Sequence, residues 1–173
     1  MNASFKIRNA HGDEYPAIGK LMVHAYSNLE GFIKPHEHPQ YYEMLANVGE
    51  LTKKPGTEIL VAIAPEGLLA GAVVYFNDMQ YYASGGTATM EKNSAGFRLL
   101  AVADEARGQG VGKLLTLECI RKAKDHGLRQ VIIHTTLAMK NAWSMYERIG
   151  FKRSEDLDFM QGQMKVFGFR YSL

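Results

Sequence analysis

A glycine-rich segment near the middle of the chain has residue types suited to binding a phosphate. Glycine occupies positions Gly108, Gly110 and Gly112, and the cations Arg107 and Lys113 flank them. Glycines let the backbone approach a ligand closely, and the first N–H groups of a helix have no acceptors within that helix. Because the segment follows an apolar run and precedes a helical pattern, it predicts an anion site at a helix N-terminus.

The spacing of these residues excludes two common phosphate motifs. A Walker loop requires a glycine five residues before Gly112 and a Ser or Thr after Lys113, but Arg107 and Leu114 occupy those positions. A dinucleotide fingerprint that began at Gly108 would need a glycine where Lys113 stands. The pattern that remains is Arg-x-x-Gly-x-Gly, which is short and needs support from another part of the chain.

A second motif follows the glycine-rich segment. Residues 142–151 read AWSMYERIGF, and an apolar run over residues 99–102 precedes the glycines. Together these residues resemble the GNAT superfamily of N-acetyltransferases, in which the glycine turn receives the diphosphate of acetyl-coenzyme A. The later family motif is Ala-x-x-Leu-Tyr-Glu-x-x-Gly-Phe, and Met145 replaces its leucine here. The resemblance is close over residues 97–151 and implies the fold, cosubstrate and reaction class of that superfamily.

The resemblance also implies roles for individual residues. Tyr146 falls on the family's tyrosine, a general acid that protonates the leaving thiolate of coenzyme A. Backbone amides of residues 100–102 are implied as donors to the developing oxyanion and to the pantetheine arm. The family asparagine that touches the coenzyme falls on Met139, and Asn141 lies two residues later. The implied coenzyme-binding residues are Leu100, Ala101, Val102, Arg107, Gly108, Gln109, Gly110, Val111, Gly112, Lys113 and Asn141.

Two of the reactive side chains also have structural interpretations. Tyr146 shares one helical face with Ala142 and Ile149, so the spacing is equally consistent with a packing residue. Cys119 lies in the middle of a predicted helix, where a core role is favoured over a nucleophilic one.

The sequence does not identify a general base for the amine. Glu91 precedes the central strand and His134 lies on the next strand, but a buried histidine with a structural role is favoured at that position. A water chain or an amine that is already neutral would also serve.

Composition limits the class of protein. The chain has 173 residues, a formal net charge of +2 and a single cysteine. We therefore expect one domain over residues 1–173, without a disulfide framework or a thiolate metal cluster. No basic block indicates nucleic acid, no apolar run is long enough for a membrane span, and residues 1–8 do not resemble a secretory signal. The expected location is the cytoplasm, and a homodimer is an assembly compatible with the sequence.

The order of predicted elements favours an α/β fold of the mixed α+β kind. It comprises a central mixed, mostly antiparallel sheet with helices on both faces and one parallel strand–helix–strand crossover. A Pro-Glu-Gly sequence at residues 65–67 predicts a hairpin between two of the strands. The periodicity predicts strands at 4–8, 58–64, 68–76, 97–103 and 131–134, two more after residue 151, and helices at 14–26, 40–51, 110–126 and 140–149.

Two irregular segments, residues 27–39 and 77–96, are predicted to border the acceptor pocket. Neither has the acidic block expected for a lysine-rich protein tail, which favours a small amine or a short peptide terminus. Glu30 and Glu37 would suffice for one ammonium group. The candidate pocket residues are Tyr26, Phe32, His36, Tyr81 and Tyr82.

His36, Glu37 and His38 also have side chains that bind metals. No further ligand is evident nearby, so an exposed polar turn is favoured and no metal is expected. The sequence thus predicts an acetyl-coenzyme A-dependent N-acetyltransferase that transfers acetyl directly to a primary amine of a small molecule or peptide. The alternative is a non-catalytic acyl-coenzyme A-binding module with the same fold and a regulatory or sensing role.

Overall fold

A computed structural model describes residues 4–173, and its centre is an eight-stranded sheet. The strands are β1 (Lys6–Asn9), β2 (Thr57–Ile63), β3 (Leu69–Phe76), β4 (Ser94–Val102), β5 (Gln130–Thr135), β6 (Lys152–Arg153), β7 (Phe159–Gln161) and β8 (Met164–Ser172). The α-helices are α1 (Tyr15–Ser27), α2 (Pro39–Ala46), α3 (Val111–Asp125) and α4 (Lys140–Ile149).

The strand order is β1-β2-β3-β4-β5-β8-β6, and β7 pairs with β8. Every pair is antiparallel except β4 with β5, which α3 connects. The predicted hairpin is present, since the Gly67 N–H donates to the Ala64 carbonyl at 2.8 Å. The predicted mixed, mostly antiparallel sheet with one parallel crossover is therefore confirmed.

The two faces of the sheet bury separate apolar cores. Ile18 and Met22 of α1 pack on one face with residues of α2, and Leu115 and Cys119 of α3 pack on the other with residues of α4. Helices thus cover both faces, as the sequence predicts. Cys119 is fully buried, and burial raises the pKa of its thiol, which fits a core residue.

Helix α2 is shorter than the prediction of residues 40–51. Asn47 ends it, because its side-chain amide donates to the Glu43 carbonyl at 2.9 Å and its own N–H reaches the same carbonyl. The chain continues as a 3-10 segment, Val48–Lys53. The predicted length is therefore wrong, although the apolar pattern is continuous through both elements.

The C-terminal region contains three strands rather than the predicted two. Arg153 at the end of β6 forms an ion pair with Asp158 at 2.9 Å and closes a turn between them. Inside that turn, Glu155–Leu157 is a 3-10 segment. β8 inserts between β5 and β6, so the last strand of the chain is internal to the sheet.

Strands β4 and β5 are paired only at one end. Residues Ser94–Gly96 pair with Gln130–Ile132, and beyond them the strands part although both continue. Leu99 has a φ of 63°, and the β3–β4 register shifts at the same place, which is a β-bulge. The sequence predicts that β4 starts at residue 97 and misses its first three residues. Ser94 and Gly96 have low strand propensity, and parallel pairing with β5 holds them in the strand.

Candidate active site

A cleft of about 1120 Å³ opens where β4 and β5 part. One end, the loop half, is formed by the turn at residues 106–113 together with α4. The other end, the aromatic half, is formed by side chains from α1, α2 and the loop between them, from the segment before β4, and from β4 and β7. The aromatic half contains Tyr26, Phe32, Tyr41, Tyr82, Arg98 and Phe159.

The turn in the loop half presents free backbone donors. Gly108 and Gly110 have φ values of 76° and 83°, which few other residues adopt, and Gly110 is the N-cap of α3. Leu114 donates to the Gly110 carbonyl at 3.0 Å, while the earlier helical N–H groups have no acceptor within α3. A Cβ built on either glycine would meet no atom within 4 Å, so space remains beside the turn.

Exposed charges surround the turn and link it to α1. Arg107 forms an ion pair with Asp104 at 3.2 Å, and the His24 Nε2 atom lies 2.7 Å from the same carboxylate. The hydrogen bond from His24 lowers the pKa of Asp104. Lys113 also lines the cleft here, together with Asn141, the second residue of α4.

The backbone of β4 alternates between the cleft and β3. The Ala103 N–H donates to Ala70 at 2.8 Å, and Ala101 is aligned with Ala72, so these residues face β3. The backbone groups of Leu100 and Val102 therefore point to the opposite edge, toward the gap. The Tyr26 hydroxyl donates to the Leu100 carbonyl at 2.9 Å from that side.

Tyr146 lies between the core and the cleft. Its ring packs against Phe97 and Phe151, with centroids 5.9 and 5.6 Å away, and only 5% of the residue is exposed. Its hydroxyl has no hydrogen-bond partner among residues 4–173. Burial raises the pKa of the phenol, so the group is a neutral donor at physiological pH. Tyr146 is thus a packing residue that also presents an unused polar group.

Three of the five predicted pocket residues line the cleft, namely Tyr26, Phe32 and Tyr82. His36 and Tyr81 do not line it, and a pocket role for these two stays a prediction. The side chain of His36 is 82% exposed because it lies on the outer surface of the loop. Tyr81 belongs to a 3-10 turn that directs the neighbouring Tyr82 inward instead.

His134 and Tyr82 form a buried polar pair. The His134 Nε2 atom lies 2.9 Å from the Leu157 carbonyl and must carry a proton, so Nδ1 accepts from the Tyr82 hydroxyl at 3.0 Å. Burial lowers the pKa of His134 and favours the neutral ring. Both nitrogens are occupied, which fits the structural role favoured by the sequence.

Carboxylates do not occur among the described residues that line the cleft. Glu91 bonds to Arg170 at 2.7 Å outside it, and Glu30 and Glu37 also lie outside. Neither Glu30 nor Glu37 therefore faces the cleft, and their use for an ammonium group stays a prediction. The charged residues lining the cleft are Arg98, Arg107, Lys113, Lys140 and Arg148.

Comparison with known proteins identifies the family. The family model described as "Acetyltransferase (GNAT) family" matches residues 16–151. The chain belongs to the GNAT acetyltransferase family. This confirms the resemblance predicted from the glycine turn and the AWSMYERIGF segment.

Individual GNAT proteins are similar to parts or all of the chain. A mycothiol acetyltransferase of Pseudarthrobacter chlorophenolicus is 43% identical over 67 residues, or 39% of this chain. The chain spans 20% of that relative's length.

Solved GNAT structures match over nearly the whole chain. A GNAT acetyltransferase from Staphylococcus aureus Mu50 has a TM-score of 0.74 at 14% identity, covering 98% of this chain and 99% of the other. The PaiA N-acetyltransferase from Thermoplasma acidophilum, in complex with coenzyme A, has a TM-score of 0.72 at 15% identity, covering 97% and 99%. At these identities the likeness establishes the GNAT fold.

Several residues of the GNAT cleft have no role in the sequence analysis. They are Tyr41, Arg98, Lys140 and Arg148. Arg98 alone has a local signal, because it is the one charged residue in an apolar strand. Tyr41, Lys140 and Arg148 reach the cleft because elements distant in sequence pack together, and local sequence spacing does not indicate this.

Two further classes of feature are absent from the described part of the chain. Residues 4–173 contain no group of three His, Cys, Asp or Glu side chains placed to bind a metal. Over the same residues, no helix has the length and apolar composition needed to cross a bilayer.

Proposed function

We propose that the protein transfers the acetyl group of acetyl-coenzyme A directly to a primary amine of a small molecule or peptide. The observation that carries this proposal is the cleft between β4 and β5. It joins a turn of unpaired helix N–H groups to the buried, neutral hydroxyl of Tyr146. Membership of an acetyltransferase family supports the same reaction.

The loop half fits acetyl-coenzyme A, which supplies a thioester when bound. The N–H groups of residues 110–113 suit the diphosphate, with the positive end of the α3 dipole behind them. Arg107 and Lys113 add positive charge at the surface, and the amide of Asn141 lies nearby on α4. Leu100 and Val102 present backbone groups toward the gap, where amides of the pantetheine arm can pair with them.

Two groups of the chain would act on the reacting atoms, and two rings would position one of them. The Tyr146 phenol donates its proton to the departing sulfur, because burial keeps it protonated. The N–H of Leu100 or Val102 stabilises negative charge that develops on the carbonyl oxygen. The phenyl rings of Phe97 and Phe151 hold Tyr146 in place through edge-on contacts.

The absence of cleft carboxylates has a consequence for the acceptor. An ammonium group beside Arg98 and the other cleft cations loses its proton more readily, because like charges disfavour the charged form. A neutral amine can therefore arise by proton loss to water, without a dedicated side-chain base. This supports deprotonation of the amine by a water chain, or binding of an amine that is already neutral, rather than a general-base role for Glu91 or His134.

The proposal is tested by measuring thiol release from acetyl-coenzyme A with a panel of primary amines. Calorimetry with coenzyme A runs in parallel. We expect both coenzyme binding and amine-dependent release. Binding without release for every amine would support the non-catalytic module instead. The cytoplasmic location and a homodimeric assembly stay predictions from the sequence.

A further inference from the structure

Arg98 occupies a distinctive place in the aromatic half of the cleft. It lies on β4, opposite Val74 of β3, between the last residue paired with β5 and the bulge at Leu99. Its side chain is partly buried and lines the cleft. The remaining residues of β4 are apolar or small, so a packing requirement does not explain a guanidinium here.

Three contacts hold the guanidinium in a fixed orientation. The Nη1 atom donates to the carbonyls of Tyr82 at 2.9 Å and Ala83 at 3.3 Å. The guanidinium carbon lies 5.8 Å from the centroid of the Tyr82 ring. Ala83 and Leu99 both have left-handed φ values, 58° and 63°, although neither is glycine. Such strain concentrates at functional sites.

The charge of Arg98 has no carboxylate partner among residues 4–173. In contrast, the partly buried Arg8, Arg153 and Arg170 bond to Glu14, Asp158 and Glu91. The Nε and Nη2 atoms of Arg98 have no hydrogen-bond partner in the described chain. An unpaired, partly buried cation is costly unless another group neutralises it.

The field of Arg98 reaches the neighbouring aromatic residues. Burial raises the pKa of Tyr41 to about 12, and the charge of Arg98 opposes that rise. The same charge opposes the burial-driven rise in the pKa of Tyr82. Arg98 therefore contributes positive potential to a pocket whose walls are aromatic rings.

We propose that the acetyl acceptor is a small aminocarboxylate whose carboxylate pairs with Arg98. This inference rests on the proposed acetyl transfer. A carboxylate accepts two parallel bonds from the free Nε and Nη2 donors, which is the geometry that guanidinium groups favour. An acceptor recognised mainly through an ammonium group would meet only repulsion here.

Strand geometry limits the distance between the acceptor's two groups. Leu100, where the thioester is proposed to lie, is two residues after Arg98 across the bulge at Leu99, so the two backbone positions are at most about 6 to 7 Å apart. An acceptor with its amine and carboxylate a few bonds apart, such as an α-amino acid, fits this short separation. The rings of Tyr26, Phe32 and Tyr41, with centroids 5.4 to 6.5 Å apart, favour an apolar side chain.

The reaction balances with groups already named. The acceptor nitrogen forms a bond to the acetyl carbon as the carbon–sulfur bond breaks. Tyr146 gives its proton to the departing sulfur and becomes a phenolate. The proton lost by the attacking amine passes to water, and water then returns a proton to Tyr146.

The test compares acceptors with and without the carboxylate, and each kcat/KM is expressed per neutral amine, because replacing a carboxylate by an amide also lowers the pKa of the α-amine. L-Phenylalanine and L-phenylalaninamide, and L-methionine and L-methioninamide, are assayed at saturating acetyl-coenzyme A. We expect kcat/KM to favour the carboxylates by roughly 10- to 100-fold, the value of a charged hydrogen-bonded pair. Arg98→Met should bring each ratio close to one, and Arg98→Lys should keep part of the preference. Acetyl-coenzyme A affinity should not change.

Arg129→Met is the matched control, because Arg129 is exposed and lies outside the cleft. It should keep the wild-type ratios. Thermal melting establishes that each Arg98 variant is folded.

A binding measurement separates this inference from the proposed reaction. Calorimetry measures L-phenylalanine and its amide binding to coenzyme A-saturated protein. If no amine releases thiol but the amino acid binds more tightly, in an Arg98-dependent way, acetyl transfer fails and the carboxylate site stands. If amides equal or exceed amino acids in both measurements, or no amino acid binds or reacts, the carboxylate site is wrong, whatever other amines are acetylated.

Discussion

The two halves of the cleft present different kinds of chemistry. The loop half offers backbone N–H groups at the start of α3, with Arg107 and Lys113 exposed beside them. The aromatic half offers side chains, with the partly buried Arg98 surrounded by rings and the Tyr82–His134 pair behind it. The loop half is thus built from main chain and exposed charge, and the aromatic half from side chains and a partly buried charge.

This difference assigns separate tasks to the two halves. Backbone donors depend on dihedral angles, so they suit a ligand that is the same in every family member. Side-chain groups change when a residue is substituted, so they suit recognition of the acceptor, which differs from one family member to another. Salt also weakens the interactions of exposed charges, whereas it screens a partly buried arginine less. We therefore expect mutations to separate coenzyme binding from acceptor choice.

The largest effect is expected at Tyr146, where the two halves meet. Tyr146→Phe keeps the ring contacts with Phe97 and Phe151 and removes only the hydroxyl. If that hydroxyl protonates the departing sulfur, kcat should fall by about 10²- to 10⁴-fold, while the Kd for coenzyme A stays nearly constant. Steady-state kinetics and calorimetry measure the two quantities.

Tyr75→Phe is the control for that substitution. Tyr75 is fully buried in the same core, but its hydroxyl bonds to His126 away from the cleft. It should keep wild-type kcat. A stable Tyr146→Phe protein with full activity would rule out the general-acid role, and an equal loss of coenzyme binding would indicate a positioning role.

A smaller effect is expected at Gly110 in the loop half. Gly110→Val introduces a β-branched residue at a φ of 83° and fills the open space beside the turn. We expect coenzyme A to bind about 10-fold more weakly or worse, measured by calorimetry. Acceptor preference, measured as a ratio of kcat/KM values, should not change.

Gly127→Val tests whether such a loss is local. Gly127 has a φ of 71° and equally open surroundings, but it lies at the other end of α3, outside the cleft. The strain is comparable, so thermal stability should fall in both variants. Equal coenzyme affinity in the two variants would contradict the placement of the diphosphate at Gly110.

The loop half could be predicted from sequence because its parts are contiguous. The strand, the glycines and the start of α3 lie within residues 97–113, and Tyr146 belongs to a second short motif. Local spacing fixes such geometry, since each residue's neighbours in space are its neighbours in the chain. The parallel crossover followed from the same reading of strand, helix and strand.

The aromatic half could be predicted only in part. Phe32 and His36 are four residues apart in one loop, yet only Phe32 turns into the cleft, and sequence spacing does not distinguish them. Arg98 could have been recognised from the sequence, because a single charged residue in an otherwise apolar strand indicates a functional or ion-pairing role. Its meaning depended on the parting of β4 from β5 and on the Ala83 carbonyl, which are long-range features.

The smallest effect concerns the pH dependence of stability in the aromatic half. Burial lowers the pKa of His134 in the folded state, whereas the unfolded chain titrates near the ordinary value of about 6.5. Between those two values the unfolded state binds more protons, so the free energy of unfolding falls as the pH drops below about 6.5. The slope from one group is at most about 1.4 kcal/mol per pH unit.

His134→Gln removes this titration while leaving an amide that can accept from Tyr82 or donate to Leu157. We expect urea unfolding of the variant to depend less steeply on pH between 7 and 5 than that of the wild type. His36→Gln, at an exposed histidine outside the cleft, should follow the wild type. Because Arg98 also lowers the pKa of His134, Arg98→Met should give a slope between those of the wild type and His134→Gln. Identical slopes in all four proteins would mean that the Tyr82–His134 pair does not keep the histidine neutral, and that the aromatic half is more hydrated than its contacts indicate.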